Sequence, residues 1–359
     1  MSGPDSCAPN LYPVDFHCLQ ARHLDAWHTL RASNPSLDSP YFHVGFTAAV
    51  HDICGDVQVV VGAGERGAVT SLMPIQRQGR LARPAGWPAV DFQGPIISPV
   101  TRCQPEDLIQ VVGVRAFVFD HLLDGLPGFE SWVEAQRPSP YLDVTGGLDG
   151  YLGRASTSGK DNMGQARRQV HMADRDLGTV RFVADSRDPA LLNRVVSLKR
   201  AQYAATGVRD ALATPSQREL LLRLLRTRDG SFGGMLSAVY AGPHLVAAHF
   251  GLRDGGVLHW WLPVYEPLHG HLSPDWILLR ELVTAAPALG LQRIDLGMVE
   301  DEYKRRAMTG HTLVCEGMVL AGSLQRRLRR TQRAVVNGIR SSPLAPRIPG
   351  VIRAGRKRR

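Results

Sequence analysis

RIDLGMVEDEYKRRAM, residues 293–308, changes character part-way along. Ile294 to Leu296 read as a buried strand that reaches Gly297, three acids run from Glu300 to Glu302, and Tyr303 precedes the basic triplet Lys304, Arg305 and Arg306. A core strand that ends at a glycine and meets polar residues is where α/β proteins place their sites. The same letters also describe a solvated surface helix, with Glu300 pairing Lys304 four residues on for about 0.3–0.5 kcal/mol. The surrounding fold has to decide.

Immediately upstream, Ser273-Pro274 opens an amphipathic helix through Leu278, Leu279, Leu282 and Val283 that ends near Gly290. Before it, residues 233–242, 243–256 and 257–267 read as three strands joined by tight Gly/Pro or Asp-Gly turns. Two helices precede this meander, opened by Asp188-Pro189 and Thr214-Pro215 with proline at the first-turn position. A strand over 179–184 and a basic helix within 149–176 come earlier still, and 311–322 supplies a last strand. In the first half, residues 17–32 carry helical spacing at Leu19, Leu24, Trp27 and Leu30, and a second helix is expected from Pro40 to about His51. Residues 56–64 and 67–77 read as strands, 84–99 as an ordered Pro/Gly loop, 105–123 as one helix and 129–135 as a strand. Pro/Gly-dense residues 137–147 mark the boundary.

The chain has 359 residues, which favours two domains. Hydrophobic residues make up 44% and charged residues 21%, a globular balance with ample core material. No apolar run reaches the roughly 18 residues that span a bilayer. MSGPDSCAPN lacks a basic patch followed by an apolar stretch, so a cytoplasmic protein without a signal peptide is expected. The five cysteines are scattered, without a CxxC pair, and read as free thiols. The net charge of +9 is uneven: residues 321–359 carry twelve Lys and Arg and no acid, leaving 30 bases against 33 acids in the other 320 residues.

The second half resembles the acyltransferase domain of the GNAT superfamily, in the CelD/BcsL branch akin to the Fem-type aminoacyl ligases. The likeness rests on residues 149–168, on 245–267, on "HLSPDWILLRELVTAAPALGL" and on "RIDLGMVEDEYKRR"; "LMPIQRQG" and "DFQGPIIS" extend it to the first half. It implies mixed α/β architecture in two packed GNAT-like units, residues 1–136 and 137–320, the second holding the cleft, with 321–359 as a basic tail. It further implies direct attack of an amine or hydroxyl on acyl-CoA, acetyl-CoA among the donors, with Ser273, Arg167 and Arg168 holding that cofactor. The acceptor it implies is a sugar or envelope precursor. No nucleophilic serine is needed, and the chain has no GxSxG. One departure stands out: Asp275 follows Ser-Pro where the family often has glycine, and a carboxylate there competes with phosphate for free N–H groups.

Each candidate has a functional and a structural reading. Asp295 could orient an amine or accept its proton, or fix the loop that follows. Lys304 could neutralise an oxyanion or phosphate and Tyr303 protonate a leaving thiolate, or both belong to an exposed helix. His249, flanked by small residues, could be a general base or a buried core histidine. Of the neighbours Trp260 and Trp261, one must face each side of a sheet, and Trp260 with Tyr265 could wall an acceptor pocket. His259, His269 and His271 have no carboxylate at ligand spacing, so no metal is expected. Arg167 and Arg168, with Lys160 and Arg154, read as donor contacts or as a solvated face. The tail has three readings, docking to an anionic membrane surface, contact with RNA phosphates or a solubility extension; aromatic interleaving is absent, and membrane docking is preferred. Besides CoA-dependent transfer, a tRNA-dependent aminoacyl transferase and an inactive membrane-associated scaffold remain as alternatives.

Overall fold

The computed structural model describes residues 10–298 and 301–321. The first half runs β1 (Asn10–Asp15), α1 (Ala21–Ser33), α2 (Val44–Cys54), β2 (Val57–Ala63), β3 (Val69–Gln78), β4 (Leu81–Pro84), β5 (Ile96–Ile97), α3 (Pro105–Val112), β6 (Ala116–Leu123) and β7 (Val133–Asp143). The helix expected over 105–123 is correct only to Val112. Gly113 takes the left-handed conformation at φ 70° and caps the helix, its N–H reaching the Gln110 and Ile109 carbonyls. Beyond it, Phe117, Val118 and Phe119 are strand formers, and Phe117 and Phe119 are buried. Buried apolar residues fall on both faces, Phe117, Phe119 and Leu123 on one and Ala116 and Leu122 on the other, so the run lacks a clean alternation and imitates a helix face. Strand β1 was not expected; it is an edge strand pairing antiparallel to β2.

The second half runs α4 (Gly147–Arg154), α5 (Thr157–Leu177), β8 (Val180–Ser186), α6 (Pro189–Thr206), α7 (Pro215–Arg226), β9 (Gly233–Ala241), β10 (His244–Asp254), β11 (Val257–Tyr265), α8 (Pro274–Leu289), β12 (Arg293–Asp295), α9 (Glu302–Ala307) and β13 (Gly310–Leu320). The helix starts are local chemistry. Ser156 accepts from the Gly159 N–H, Asp188 accepts from Ala190, and Thr214 and Gln217 cap each other reciprocally.

All these strands join one mixed sheet, ordered β1-β2-β3-β4-β6-β13-β7-β12-β11-β10-β9-β8, with β5 attached to β3. The expected α/β class with mixed sheets holds. The boundary expected at 136–137 falls inside β7, whose register with β13 is unbroken from Ala135 to Tyr141. Strand β13, last in sequence, pairs with β6 on one side and β7 on the other, so the two halves share hydrogen bonds as well as a packed surface.

The sheet divides two cores. On one side α4, α5 and α8 pack over residues such as Val239, Leu258, Trp260 and Ile294. On the other, α6 and α7 pack with the first half over Leu236, Ala248, Phe250 and Leu262. The feature that positions a site is the meeting of β11 and β12. They pair in parallel only over Val257–His259 against Arg293–Asp295, so β11 continues from Trp260 to Tyr265 without that neighbour. The sheet opens there, and Asp301 with Tyr303 and Lys304 of helix α9 faces the opening. Among the described residues no helix is long and apolar enough to cross a membrane.

Candidate functional site

The opening is a cleft of about 490 Å³. Its walls include Pro88, Ala89 and Asp91 of the first half, Lys199 and Tyr203 of α6, Leu220 and Leu221 of α7, Trp260 to Pro263 of β11, Asp275 at the start of α8, and Asp301, Tyr303 and Lys304. A concave, largely apolar site with a few converging polar groups is the usual form of a ligand pocket.

Alternation on β11 sends Trp260 to one core and Trp261 to the other, and both edges reach the cleft. Trp260 donates its indole N–H to the Tyr303 hydroxyl at 2.9 Å. Tyr303 therefore accepts through oxygen and keeps its own proton for a ligand. Burial, with the Asp275 charge, raises its pKa far above the ordinary phenol value, so it is a firmly neutral hydrogen-bond donor.

Lys304 is 7% exposed. It forms no side-chain hydrogen bond or ion pair with a described residue. Burial lowers its pKa, against the attraction of Asp91 and Asp301. Lys199 stands nearby; burial and the Lys304 charge bring it down to about 8. Its ammonium donates to Gln202 Oε1 at 3.1 Å and to the Pro263 carbonyl at 3.3 Å. Asp275 responds in the opposite sense. Burial lifts its carboxyl to about 6, with Asp301 adding to the rise and Lys199 opposing it. A weakened acid, a weakened base and a neutral phenol thus border one space, the pattern that marks catalytic clefts.

The first half contributes Asp91. Its carboxylate accepts from His259 Nε2 at 2.9 Å and lies 3.8 Å from His121 Nε2. Burial would raise its pKa, but the hydrogen bond and charge of His259, with His121 and Lys304, outweigh this and hold it well below the carboxylate range. His121 Nδ1 lies 3.0 Å from Asp120. Burial disfavours its imidazolium, yet Asp120 and Asp91 prevail and raise its pKa. Gly297 makes the Asp91–His259 approach possible. Its φ is 72°, and a Cβ there would stand 2.9 Å from Asp91 Oδ2 and 3.4 Å from His259 Cε1.

Residues 160–305 match the family described as acetyltransferase (GNAT) domain. Those residues are similar to a GNAT acetyltransferase domain. Solved structures share the fold over most of the molecule. FemX aligns with a TM-score of 0.56 at 9% identity, covering 82% of this chain and 94% of its own. L-PGS from Bacillus licheniformis aligns at 0.50 with 11% identity, covering 88% and 96%. The C-terminal domain of a protein assigned as a lysylphosphatidylglycerol synthetase, from Agrobacterium fabrum, aligns at 0.50 with 13% identity, covering 87% and 96%. No curated protein sequence matches the chain.

Of the residues singled out in the sequence, the fold brings Tyr303, Lys304 and Trp260 into the cleft. Others lie elsewhere. Asp295 is 1% exposed and is gripped by Arg293, whose Nε donates to it at 2.9 Å while the rest of the guanidinium holds Asp38 at 2.5 and 2.6 Å. That places Asp295 in a clamp tying the halves together, behind the cleft wall. His249 is fully buried and stacked on Trp260 with centroids 4.1 Å apart. Burial and the neighbouring His259 bring its pKa down to about 3, so it is a neutral packing group beneath Trp260. Tyr265 packs against the α8-side core, and its ring lies 3.7 Å from a Cβ built at Gly270, away from the cleft lining. Ser273 precedes Pro274 at φ 50°, a strained value for serine, and its side chain caps nothing. Arg167 and Arg168 border a separate groove that shares no lining residue with the cleft. Of the three acids after the glycine, Glu302 pairs with Arg306 at 3.1 Å on the surface; Glu300 and its suggested bond to Lys304 lie outside the described residues, as does the tail.

Sequence reading missed Asp91, Lys199 and the positive case for Asp275. Asp91 sits in a Pro/Gly loop 69 residues before the GNAT match; it opens the stretch DFQGPIIS, whose family likeness gave it no role. Lys199 looked like any helix-surface lysine in LNRVVSLKR. Among the described residues no group of three or more His, Cys, Asp or Glu could hold a metal ion.

Proposed function

We propose that the cleft transfers an acyl group from an activated donor to an amine or hydroxyl by direct attack. One observation carries this reading: a neutral hydrogen-bond donor (Tyr303), two cations with lowered pKa (Lys304, Lys199) and a carboxyl lifted to about 6 (Asp275) border a single apolar cleft where the sheet opens. As an amine attacks the acyl carbon, a C–N bond forms and the donor's C–S bond breaks. Asp275 accepts the proton the amine loses. Tyr303 and Lys304 face the negative charge that develops on the carbonyl oxygen, where fixed donors act most strongly. Lys199, at about 8, is matched to a leaving thiol of pKa about 8.5 and returns a proton to it.

An acyl-CoA thioester fits this cleft at its acyl end, between Trp260, Trp261 and Leu262, with the cations at the carbonyl. Its diphosphate does not fit the first turn of α8, because the Asp275 carboxylate stands there. Acetyl-CoA and its longer homologues are therefore proposed as donors that enter acyl end first, with the diphosphate seated elsewhere. The aromatic faces of Trp261 and Tyr203 suit an acceptor with a flat, partly apolar side, such as a sugar of a polysaccharide or envelope precursor. A second reading has a specific observation of its own. Asp275, Asp301 and Asp91 line the same cleft and would receive the ammonium of an aminoacyl ester, the donor of a tRNA-dependent ligase.

Calorimetry and transfer assays with acetyl-CoA, longer acyl-CoAs and aminoacyl-tRNA test both. CoA-dependent heat and turnover that vanish in Lys304→Ala support the first reading. Silence toward every CoA compound, with turnover on charged tRNA, replaces it by the second. Silence toward both donors overturns the enzymatic reading.

A further inference from the structure

Helices α4, α5 and α8 border a second concavity, of about 850 Å³. Its rim holds Lys160, Arg167 and Arg168 of α5 and Arg280 of α8, and its floor holds Leu148, Leu152 and Met163. The spacing 160, 163, 164, 167, 168 is that of a single helix face, so α5 presents all three cations to one side. Opposing charge is sparse: Asp149 is the acid on the lining, and Arg280 is shared with Glu281 at 3.0 Å. Lys160, Arg167 and Arg168 make no ion pair with a described residue. Gly153 and Gly164 complete the lining, and a Cβ at either would meet nothing within 4 Å, so the groove floor is open to a ligand.

Cations crowded around a concave apolar floor repel one another and favour an amphiphilic anion. We infer that this groove seats the headgroup phosphate of an anionic phospholipid, with the glycerol and first acyl carbons on Leu148, Leu152 and Met163. A compact headgroup suits the groove better than a nucleic-acid strand. Its lining has no aromatic residue on which a base could stack. Residues 1–320 hold 30 bases against 33 acids, so a long polyanion would leave the basic groove for a slightly acidic body. A headgroup needs only the local charge, and the twelve bases of residues 321–359 add attraction of the same sign at a membrane surface.

The test is flotation of the full-length chain with phosphatidylcholine vesicles that contain or lack phosphatidylglycerol. Binding is expected only to the anionic vesicles, and the double variant R167E/R168E should weaken it about tenfold or more. A steric variant separates the groove from bulk charge. Gly164→Phe leaves the net charge unchanged and improves helix propensity, so the protein should fold and yet lose affinity comparably. If both variants bind anionic vesicles as the parent chain does, the tail alone carries the attraction and the groove assignment fails. Equal binding to neutral vesicles, or a variant effect confined to RNA retention, overturns it as well. Gly164 lies outside the cleft lining, so acyl transfer to a soluble acceptor should persist in Gly164→Phe whatever the vesicles show.

Discussion

Tyr303 and Trp260, 43 residues apart, share one hydrogen bond of 2.9 Å at the mouth of the opened sheet. The bond fixes the phenol, leaves its own proton free to donate and keeps Trp260 flat on His249. Tyr303→Phe removes the proton donor and strands a buried indole N–H. Acyl-transfer kcat should fall about a hundredfold, by analogy with loss of one oxyanion donor. Stability should fall by only about 1–2 kcal/mol. Steady-state kinetics beside urea unfolding check the two numbers, and a variant with unchanged kcat would remove Tyr303 from the chemistry.

The pH dependence of kcat/KM should be bell-shaped, rising as Asp275 ionises through about 6 and falling as Lys199 loses its proton through about 8. Asp275→Asn should abolish the acid limb and Lys199→Gln the alkaline one. Profiles measured on the three proteins with one substrate are sufficient.

Asp275 also makes a stability prediction of definite sign. Its folded pKa lies above the unfolded value of 3.8, so its favourable contribution is complete below about 4 and is lost as pH rises through about 6. Asp275→Asn should therefore stabilise the protein at pH 7 by on the order of 1 kcal/mol, and the gain should vanish below pH 4. Thermal unfolding across that range decides the matter.

The ion pair of Asp295 with Arg293 predicts a structural part for this carboxylate. Removing its charge leaves Arg293 half-paired in a buried clamp, a change that costs about 3 kcal/mol when one partner of such a pair is lost. Asp295→Asn should lower the unfolding midpoint while kcat per folded molecule stays at the parent value. A collapse of kcat without loss of stability would restore the catalytic reading of this residue.

Gly251 supplies a packing test beside the same tryptophan. A Cβ there would lie 2.3 Å from the His259 carbonyl oxygen and 2.5 Å from His249 Cε1. Gly251→Ala should cost on the order of 1–3 kcal/mol by overpacking and tilt His249 against Trp260. Differential scanning calorimetry and tryptophan fluorescence report the two effects.

Periodicity and punctuation, read in order, were enough for the meander, the proline-led helices and the class of fold, because each depends on local spacing and capping. Strand β6 defeated them because buried apolar residues lie on both its faces, which blurs the period of two. The stretch 293–308 shows the same division on a smaller scale. Ile294 to Gly297 were legible as a core strand reaching a glycine, and the likeness to GNAT proteins drew attention to Tyr303 and Lys304.

What the sequence alone determined was therefore the mixed α/β class, the place of the GNAT-like segment and the neighbourhood of the cleft. The tertiary structure decided which charges share that cleft. Asp91 arrives from the first half, Lys199 from α6 and Asp275 from the start of α8, while Asp295 turns away to Arg293. Those assignments depend on desolvation and on distances between residues far apart in the chain. Residue type and spacing encode neither.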